Sequence, residues 1–379
     1  MTHERARREP SAGLDRRTLN RTLLARQGLL ARHEAGVEAT IERLVGMQAQ
    51  VPRDPYIGLW SRLREFDPMA LEAAFLERRV VRMPGLRTTL HLVTAADALE
   101  IRLAMQPVIE RAFASSHFRR QLSGLDLAAV RRAGTDLLEE APMTIASLGA
   151  RLHERWPDAE PQALGYAIRY LVPIVQVPPR GLWTASGAAR ITTLQAWLGS
   201  EAPPVATDDR VAGAVDAAIL RYLRSFGPST IADIRAWSWL TNLRAAVERL
   251  GPKLRRLRDD RGRTLLDVAD GQLEDGSEPA PVRFLGEYDN VFLSHADRTR
   301  ITGDIAWGND YVRRGATFAD GFLLGPWRLV PAAAGTAVLE VEPRRTIGAG
   351  MRSEVELEGE RLLAFVAPDA TGREIRWRD

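Results

Sequence analysis

Two stretches, PMTIASLGARL at 142–152 and PSTIADIRAWSWL at 228–240, share the pattern Pro-x-Thr-Ile-Ala-(Ser/Asp)-(Leu/Ile). In each, a turn residue precedes a short amphipathic helix with Thr or Ser at the cap position. An apolar-periodic helix comes before each, LAAVRRAGTDLLEE (127–140) and VDAAILRYLRSFG (215–227), and another follows, PQALGYAIRYL (161–171) and NLRAAVERL (242–250). Then comes a hairpin signal. VPIVQVPPRGLWTASG (172–187) has β-formers around Pro-Pro-Arg-Gly, and LRRLRDDRGRTLLDVAD (254–270) has strand-like ends around Asp-Asp-Arg-Gly. Three helices and a two-stranded hairpin make the winged-helix layout.

The N-terminal region fits the same scheme less cleanly. RTLLARQGLL (21–30), GVEATIERLVGMQ (36–48) and DPMALEAAFLERR (67–79) read as its helices, PRDPYIGLWSRLREF (52–66) as a long linker, and VVRMPGLRTTLHLV (80–93) as its hairpin. From about Pro281 the texture becomes β-rich: VRFLGEYDNVFLSH, ATFADGFLLGPWRLV and GTAVLEVEPRR read as strands, and SEVELEGERLLAFVA as a closing helix. The expected fold is α+β and mainly helical, with three tandem winged-helix units and a C-terminal partial barrel. Its parts are a flexible tail at 1–14, units at 15–118, 119–200 and 201–275, and the β-rich domain at 276–379. A repeated supersecondary unit is stronger evidence than any single helix.

Composition narrows the function. The chain has no cysteine, so disulfides, iron–sulfur clusters, thiolate zinc sites and a cysteine nucleophile are excluded. None of the six histidines pairs with another at i, i+3 or i+4, so neither a metal nor a cofactor is expected. No apolar run is long enough to span a membrane, and the first residues have no signal-peptide character. A cytoplasmic, nucleoid-associated monomer is expected. The net charge is only +3, and Lys253 is the single lysine among 52 basic residues. Arginine enrichment reads either as a GC-rich genome or as phosphate recognition. Tandem winged helices favour the second, with Arg82, Arg87, Arg180, Arg261 and Arg263 on the hairpins as candidate DNA contacts. Winged helices also serve as protein-interaction modules.

LVGMQAQVPRDPYIGLWSRL (44–63) carries the least ordinary pair, Gln48 and Gln50. On a helix they would lie about 200° apart, whereas an extended stretch puts them on one face. Pro52 disfavours helix at Val51, and Met47 completes an apolar stripe with Val37, Ile41 and Leu44, so the helix is expected to end near Gln48. The amides then either bond the last helical carbonyls or act together. Trp237 and Trp239, at i and i+2, fall on different helix faces, so at least one belongs to the core and the two do not read as a stacking platform.

LVGMQAQVPRDPYIGLWSRL, VVRMPGLRTTLHLV, VPPRGLWTASG and EYDNVFLSHADRTRI occur in the order that resembles the AlkZ-like winged-helix DNA glycosylases, relatives of the bacterial YcaQ type. The similarity runs from about Leu19 to Phe365. It implies a C-shaped, DNA-holding body that excises bulky N7-alkylated guanines, interstrand crosslinks included, in DNA repair or in self-resistance to genotoxic natural products. The family motif is Gln-x-Gln in one branch and Gln-x-Asp in the other; Gln48 and Gln50 match the first.

Neutral amides suit that chemistry. A positive N7-alkylguanine is already a good leaving group, so what remains is an oxocarbenium-like sugar and a water to capture it. A glutamine carbonyl can orient the water while its NH₂ donates to sugar or phosphate. Strand cutting would need an amine nucleophile, and Lys253 lies far from the motif in an arginine-rich stretch, so a monofunctional enzyme acting on double-stranded DNA is expected. Asp54 is an accessory candidate for activating water, with a turn cap as the competing role. His91 is a second candidate, with packing in the strand as the alternative. Asp289, His295 and Arg298 read as internal salt-bridge residues. Neither glutamine titrates, so a flat rate between about pH 6 and 8 is expected. The competing functional reading is a non-catalytic winged-helix DNA-binding protein, a regulator or a drug-binding protein.

Overall fold

The computed structural model describes residues 13–199, 207–306, 308, 314–333 and 335–378. The two repeats fold alike. In the second unit, helices Leu127–Glu140, Ile145–His153 and Pro161–Leu171 surround a core of Val130, Leu148, Leu164 and Ile168. Between the first two helices the short strand Met143–Thr144 pairs with Arg190–Thr193, which also pairs with Ile174–Gln176. The Thr144 hydroxyl then caps the second helix by accepting the Ser147 N–H. In the third unit, helices Asp208–Phe226, Ile231–Ser238 and Leu243–Leu250 precede the hairpin of Leu254–Arg258 and Thr264–Val268. Ser229 bridges Leu266 as Met143 bridges Ile191, and Thr230 with Asp233 forms a reciprocal capping box. The repeated Pro-x-Thr-Ile-Ala therefore encodes a bridge strand that turns directly into a capped helix.

The N-terminal region obeys the same order, but one helix out of step with the sequence reading. The helix before the bridge is Val37–Arg43, and it ends five residues before Gln48. Val45 N–H donates to the Glu42 carbonyl and Gly46 N–H to the Ile41 carbonyl, with both residues at positive φ, so the chain leaves the helix through a Schellman turn. Met47–Gln48 is a strand, with Met47 opposite Leu92 and Gln48 opposite His91. The expected linker contains the next helix, Asp54–Trp60, which is buried along its whole length. Helix Pro68–Leu76 and strands Val80–Pro84 and Leu90–Thr94 complete the unit. Helix Arg16–Arg26 stands outside it, packed against the third unit and the C-terminal region. Residues 1–12 of the expected tail lie outside the described residues, whereas Leu14 is ordered against Asp259.

The first and second units share one sheet, joined where Arg82 pairs with Gln176. The second strand of the second hairpin falls at Arg190–Thr193, beyond the predicted stretch. Leu182 and Trp183 instead leave the sheet and pack on the first unit, where Trp183 meets Tyr56 and Glu72 accepts the Trp183 and Thr184 N–H groups. The C-terminal sheet is five-stranded and open among the described residues, with no closed barrel. Helix Ala349–Val366 does not close the chain: it crosses from Thr336–Val341 to a parallel last strand, Gly372–Trp377. Of VRFLGEYDNVFLSH, only Arg283–Leu285 is strand, and Asn290–Leu293 is a helical turn. No helix among the described residues is long and apolar enough to cross a membrane.

Candidate active site

Gln48 occupies the bridge strand of the first unit, the place held by Met143 and Ser229 in the other two. The segment is fixed from four sides. Gln48 N–H donates to Asn290 Oδ1 at 3.3 Å, and Asn290 Nδ2 returns two bonds, to the carbonyls of Leu44 (3.2 Å) and Gly46 (2.6 Å). Ala49 N–H pairs with the Leu90 carbonyl, and the Ala49 carbonyl accepts Arg82 Nη2 at 2.6 Å. Arg87 then bonds the side chain itself: its Nη2 donates to Gln48 Oε1 at 2.7 Å and its Nη1 to the Trp237 carbonyl at 2.5 Å. With the Thr89 hydroxyl also 3.4 Å from Oε1, donors face that end of the amide, so the oxygen points inward. Nε2 has no protein partner among the described residues and is left toward the surface. Gln48 is 7% exposed. Gln50 lies at the rim, exposed. One amide is therefore held with its NH₂ outward, and the other is free to rotate.

The turn that carries Arg87 is gripped by all three units. Arg169, on helix Pro161–Leu171, donates to the Thr88 carbonyl at 2.8 Å, and Trp237 belongs to the third unit. Asn290 is placed by its neighbour Asp289, which caps the helical turn and forms a two-pronged pair with Arg62 at 2.7 and 2.8 Å. That agrees with the salt-bridge reading of Asp289. His295 has no ion pair among the described residues; it bonds Ser229 and Ser294 in the interior, and burial pushes its pKa down to about 3. Arg298 donates to the Phe292 carbonyl.

The expected DNA contacts divide. Arg82 and Arg87 are buried, with pKa values drawn down to about 10 by burial, so both remain charged at neutral pH. Both hold the Gln-x-Gln segment, Arg82 through the Ala49 carbonyl and Arg87 through the Gln48 amide. Arg180 is half-buried, and its own carbonyl accepts Arg82. Arg261 and Arg263 are on the exposed third hairpin, where Arg263 binds Asp259 at 2.6 Å and Asp297 at 2.8 Å. His91 is 2% exposed behind Gln48, and burial pushes its pKa down to about 3, so it is a neutral packed residue rather than a DNA-facing one. Asp54 caps no turn of its own. It opens helix Asp54–Trp60 and accepts the Tyr288 N–H at 3.3 Å across the fold. Burial, with Glu287 and Asp289 adding like charge, raises its pKa from 3.8 to about 7. Sequence reasoning missed Asn290 and Arg62; both lie in or beside the quoted motifs, but nothing in residue type reveals which atoms they clamp. Among the described residues no cluster of three or more His, Asp or Glu is placed to hold a metal ion.

Comparison with known proteins bears on fold and family. A search of curated proteins returns no match. Among solved structures, the DNA glycosylase AlkZ of Streptomyces sahachiroi superposes with a TM-score of 0.75 at 19% identity, covering 97% of this chain and 99% of that one. At that identity the likeness is one of fold. The family model described as "DNA glycosylase AlkZ-like" matches residues 41–365, which take in the glutamine strand, the second and third units, the first unit from Ile41 onward and the Asn290 clamp, and the chain belongs to the AlkZ-like DNA glycosylase family.

Proposed function

We propose that this chain is a monofunctional DNA glycosylase that hydrolyses the N-glycosidic bond of N7-alkylguanine in duplex DNA, bulky and crosslinked adducts included. The observation that carries the reading is the Gln48 amide, pinned through its oxygen by a buried guanidinium with its NH₂ left outward. An ordinary helix-end amide would bond nearby carbonyls. This one is held by a charged group that has no carboxylate partner among the described residues, and such a donor is more than a neutral surface side chain needs.

In the proposed reaction the C1′–N9 bond breaks and its electron pair neutralises the purine cation. Water adds to C1′ and releases a proton to solvent. Gln50, free at the rim, orients the water through its carbonyl oxygen. Gln48 Nε2 donates to an oxygen of the sugar or phosphate. Preorganisation is the gain, because a fixed dipole needs no rearrangement as charge develops. The three units act as winged helices gripping the backbone, and the site is open enough to leave a bulky base in the groove. Exposed Lys253 takes no part, and an abasic site is the product.

Incubation with an N7-methylguanine duplex, followed by hot alkali, tests this. Cleavage at the lesion above the protein-free rate is expected, together with its loss in a Gln48→Ala, Gln50→Ala variant that still binds DNA. Wild-type protein that cuts no faster than buffer ends the enzymatic reading. A borohydride-trapped covalent adduct that disappears on Lys253→Ala ends the monofunctional one.

A further inference from the structure

Among the described residues, eight that are not glycine have positive φ; Val45, Arg87 and Thr88 flank the glutamine strand, and Trp239 and Asn242 bracket the turn just after Trp237, whose carbonyl Arg87 bonds. Such backbone is costly and is kept where the surroundings enforce it. Trp239 is the conspicuous member. Its partner in sequence, Trp237, is buried, whereas Trp239 is 50% exposed. The exposure is enforced. Trp239 ends helix Ile231–Ser238 in the left-handed conformation, its N–H bonds the Arg235 carbonyl at 2.8 Å, and its own carbonyl accepts Arg111 Nη2 at 2.6 Å. Leu240 N–H is tied to the Ser238 hydroxyl at 3.1 Å. The backbone beneath the indole is therefore fixed, and a tryptophan has only two side-chain torsions to settle when it makes a contact.

The turn is also close to the chemistry. Arg87 reaches from the Trp237 carbonyl to the Gln48 amide, so the Trp239 backbone starts within about 15 Å of that amide, inside the span of a few base pairs. In the helix–turn–helix of the third unit it lies between the second helix and the N-terminus of the third, the end that faces a duplex in this class of domain. A phosphate contact would call for a cation. An indole offers a flat apolar face, which fits an unstacked base of any sequence.

Resting on the glycosylase reading above, we propose that the Trp239 indole stacks on a nucleobase at or beside the lesion and so makes this turn part of the substrate site. Trp239→Ala then lowers DNA affinity and kcat/KM by roughly 5- to 150-fold, the range for loss of one stacked base, and Trp239→Phe restores most of it. The decisive readout is one that a structural role would not move. Protein carrying Gln48→Ala and Gln50→Ala is bound to a duplex with 2-aminopurine beside N7-methylguanine. With Trp239 present the 2-aminopurine emission changes on binding, and with Trp239→Ala it does not. An equal emission change and equal affinity in both proteins overturn the proposal, as does a Trp239→Ala variant whose only defect is a lower Tm. Because this signal needs no bond cleavage, it returns an answer even if wild-type protein leaves the lesion uncut, the result that would defeat the excision reading itself.

Discussion

Arginines do two different jobs in this molecule. At the glutamine strand, Arg62, Arg82 and Arg87 are buried and donate to backbone carbonyls, to one amide and to one carboxylate. On the third hairpin, Arg261 and Arg263 are exposed and lean on Asp259 and Asp297. The buried set has few rotamers, little screening and no water to replace a lost partner. The hairpin set has many rotamers, strong screening and water at hand. Identical side chains are therefore expected to differ by several kcal/mol in what their removal costs, with the buried ones setting geometry and the exposed ones setting affinity.

The largest effect should come from Asp289→Ala. It leaves Arg62, which has 0% of its side chain exposed, as a buried charge without its carboxylate. A cost of about 3–5 kcal/mol is expected in urea unfolding. Asn290 would lose its anchor at the same time, so excision should fall even at temperatures where the variant remains folded. A loss below about 1 kcal/mol would place this pair with the surface ones and erase the contrast.

Next is Asp54, an acid in the same buried layer but without a cation paired to it among the described residues. Its folded pKa of about 7 lies above the ordinary 3.8, so the folded state holds the proton longer than the unfolded chain. The stabilising difference is present in full below about pH 4 and is lost as pH rises through 7, with a ceiling on the order of 4 kcal/mol. Melting temperatures measured from pH 5 to 8 should fall in wild type and stay flatter in Asp54→Asn. Because Tyr288 docks on this carboxyl beside the Asn290 clamp, the activity profile should bend near pH 7, against the flat profile expected from two glutamines alone. A profile unchanged by Asp54→Asn would remove Asp54 from the site.

Arg87→Met comes third in stability, at about 2–3 kcal/mol for two charge-assisted bonds, but its mark is on activity. The Gln48 amide would be free to flip, and misplacement of that order costs about 100-fold. The fall should appear in kcat with KM for an N7-methylguanine duplex little changed, since Arg87 is too buried to touch phosphate. A rise in KM alone would return Arg87 to the role of a DNA contact.

These contrasts also explain what was readable in the sequence. The second and third units were legible because their bridge strand is spelled by one repeated motif. The first was read one helix out of register because its bridge is Met47–Gln48 and its next helix opens on Asp54-Pro55. Proline there looks like a linker signal, yet at the first turn of a helix its missing N–H is not needed. The last strand escaped notice because Gly372–Trp377 is charged and has no buried residue to mark an inward face. Leu182 and Trp183 looked like strand but are apolar because they fill the first unit. At the site, resemblance pointed to the two glutamines, but no residue pattern distinguishes an arginine that clamps a carbonyl from one that meets a phosphate. Nor does any local signal join Asp54 to Tyr288, which are 234 positions apart.

The smallest effect tests the hairpin half of the contrast. Arg261→Ala and Arg263→Ala should each cost under about 1 kcal/mol in stability, less in high salt. On DNA they should separate. Arg263 holds two carboxylates and must leave both to meet a phosphate, whereas Arg261 has one looser partner at 3.5 Å. Arg261→Ala is therefore expected to lower the slope of log K against log salt by about one, with sequence preference unchanged, and Arg263→Ala by less. Equal losses would mean that phosphate outcompetes Asp259 and Asp297 together. The hairpin acids would then act as a latch that DNA opens, and exposure alone would be a poor guide to which arginine is available.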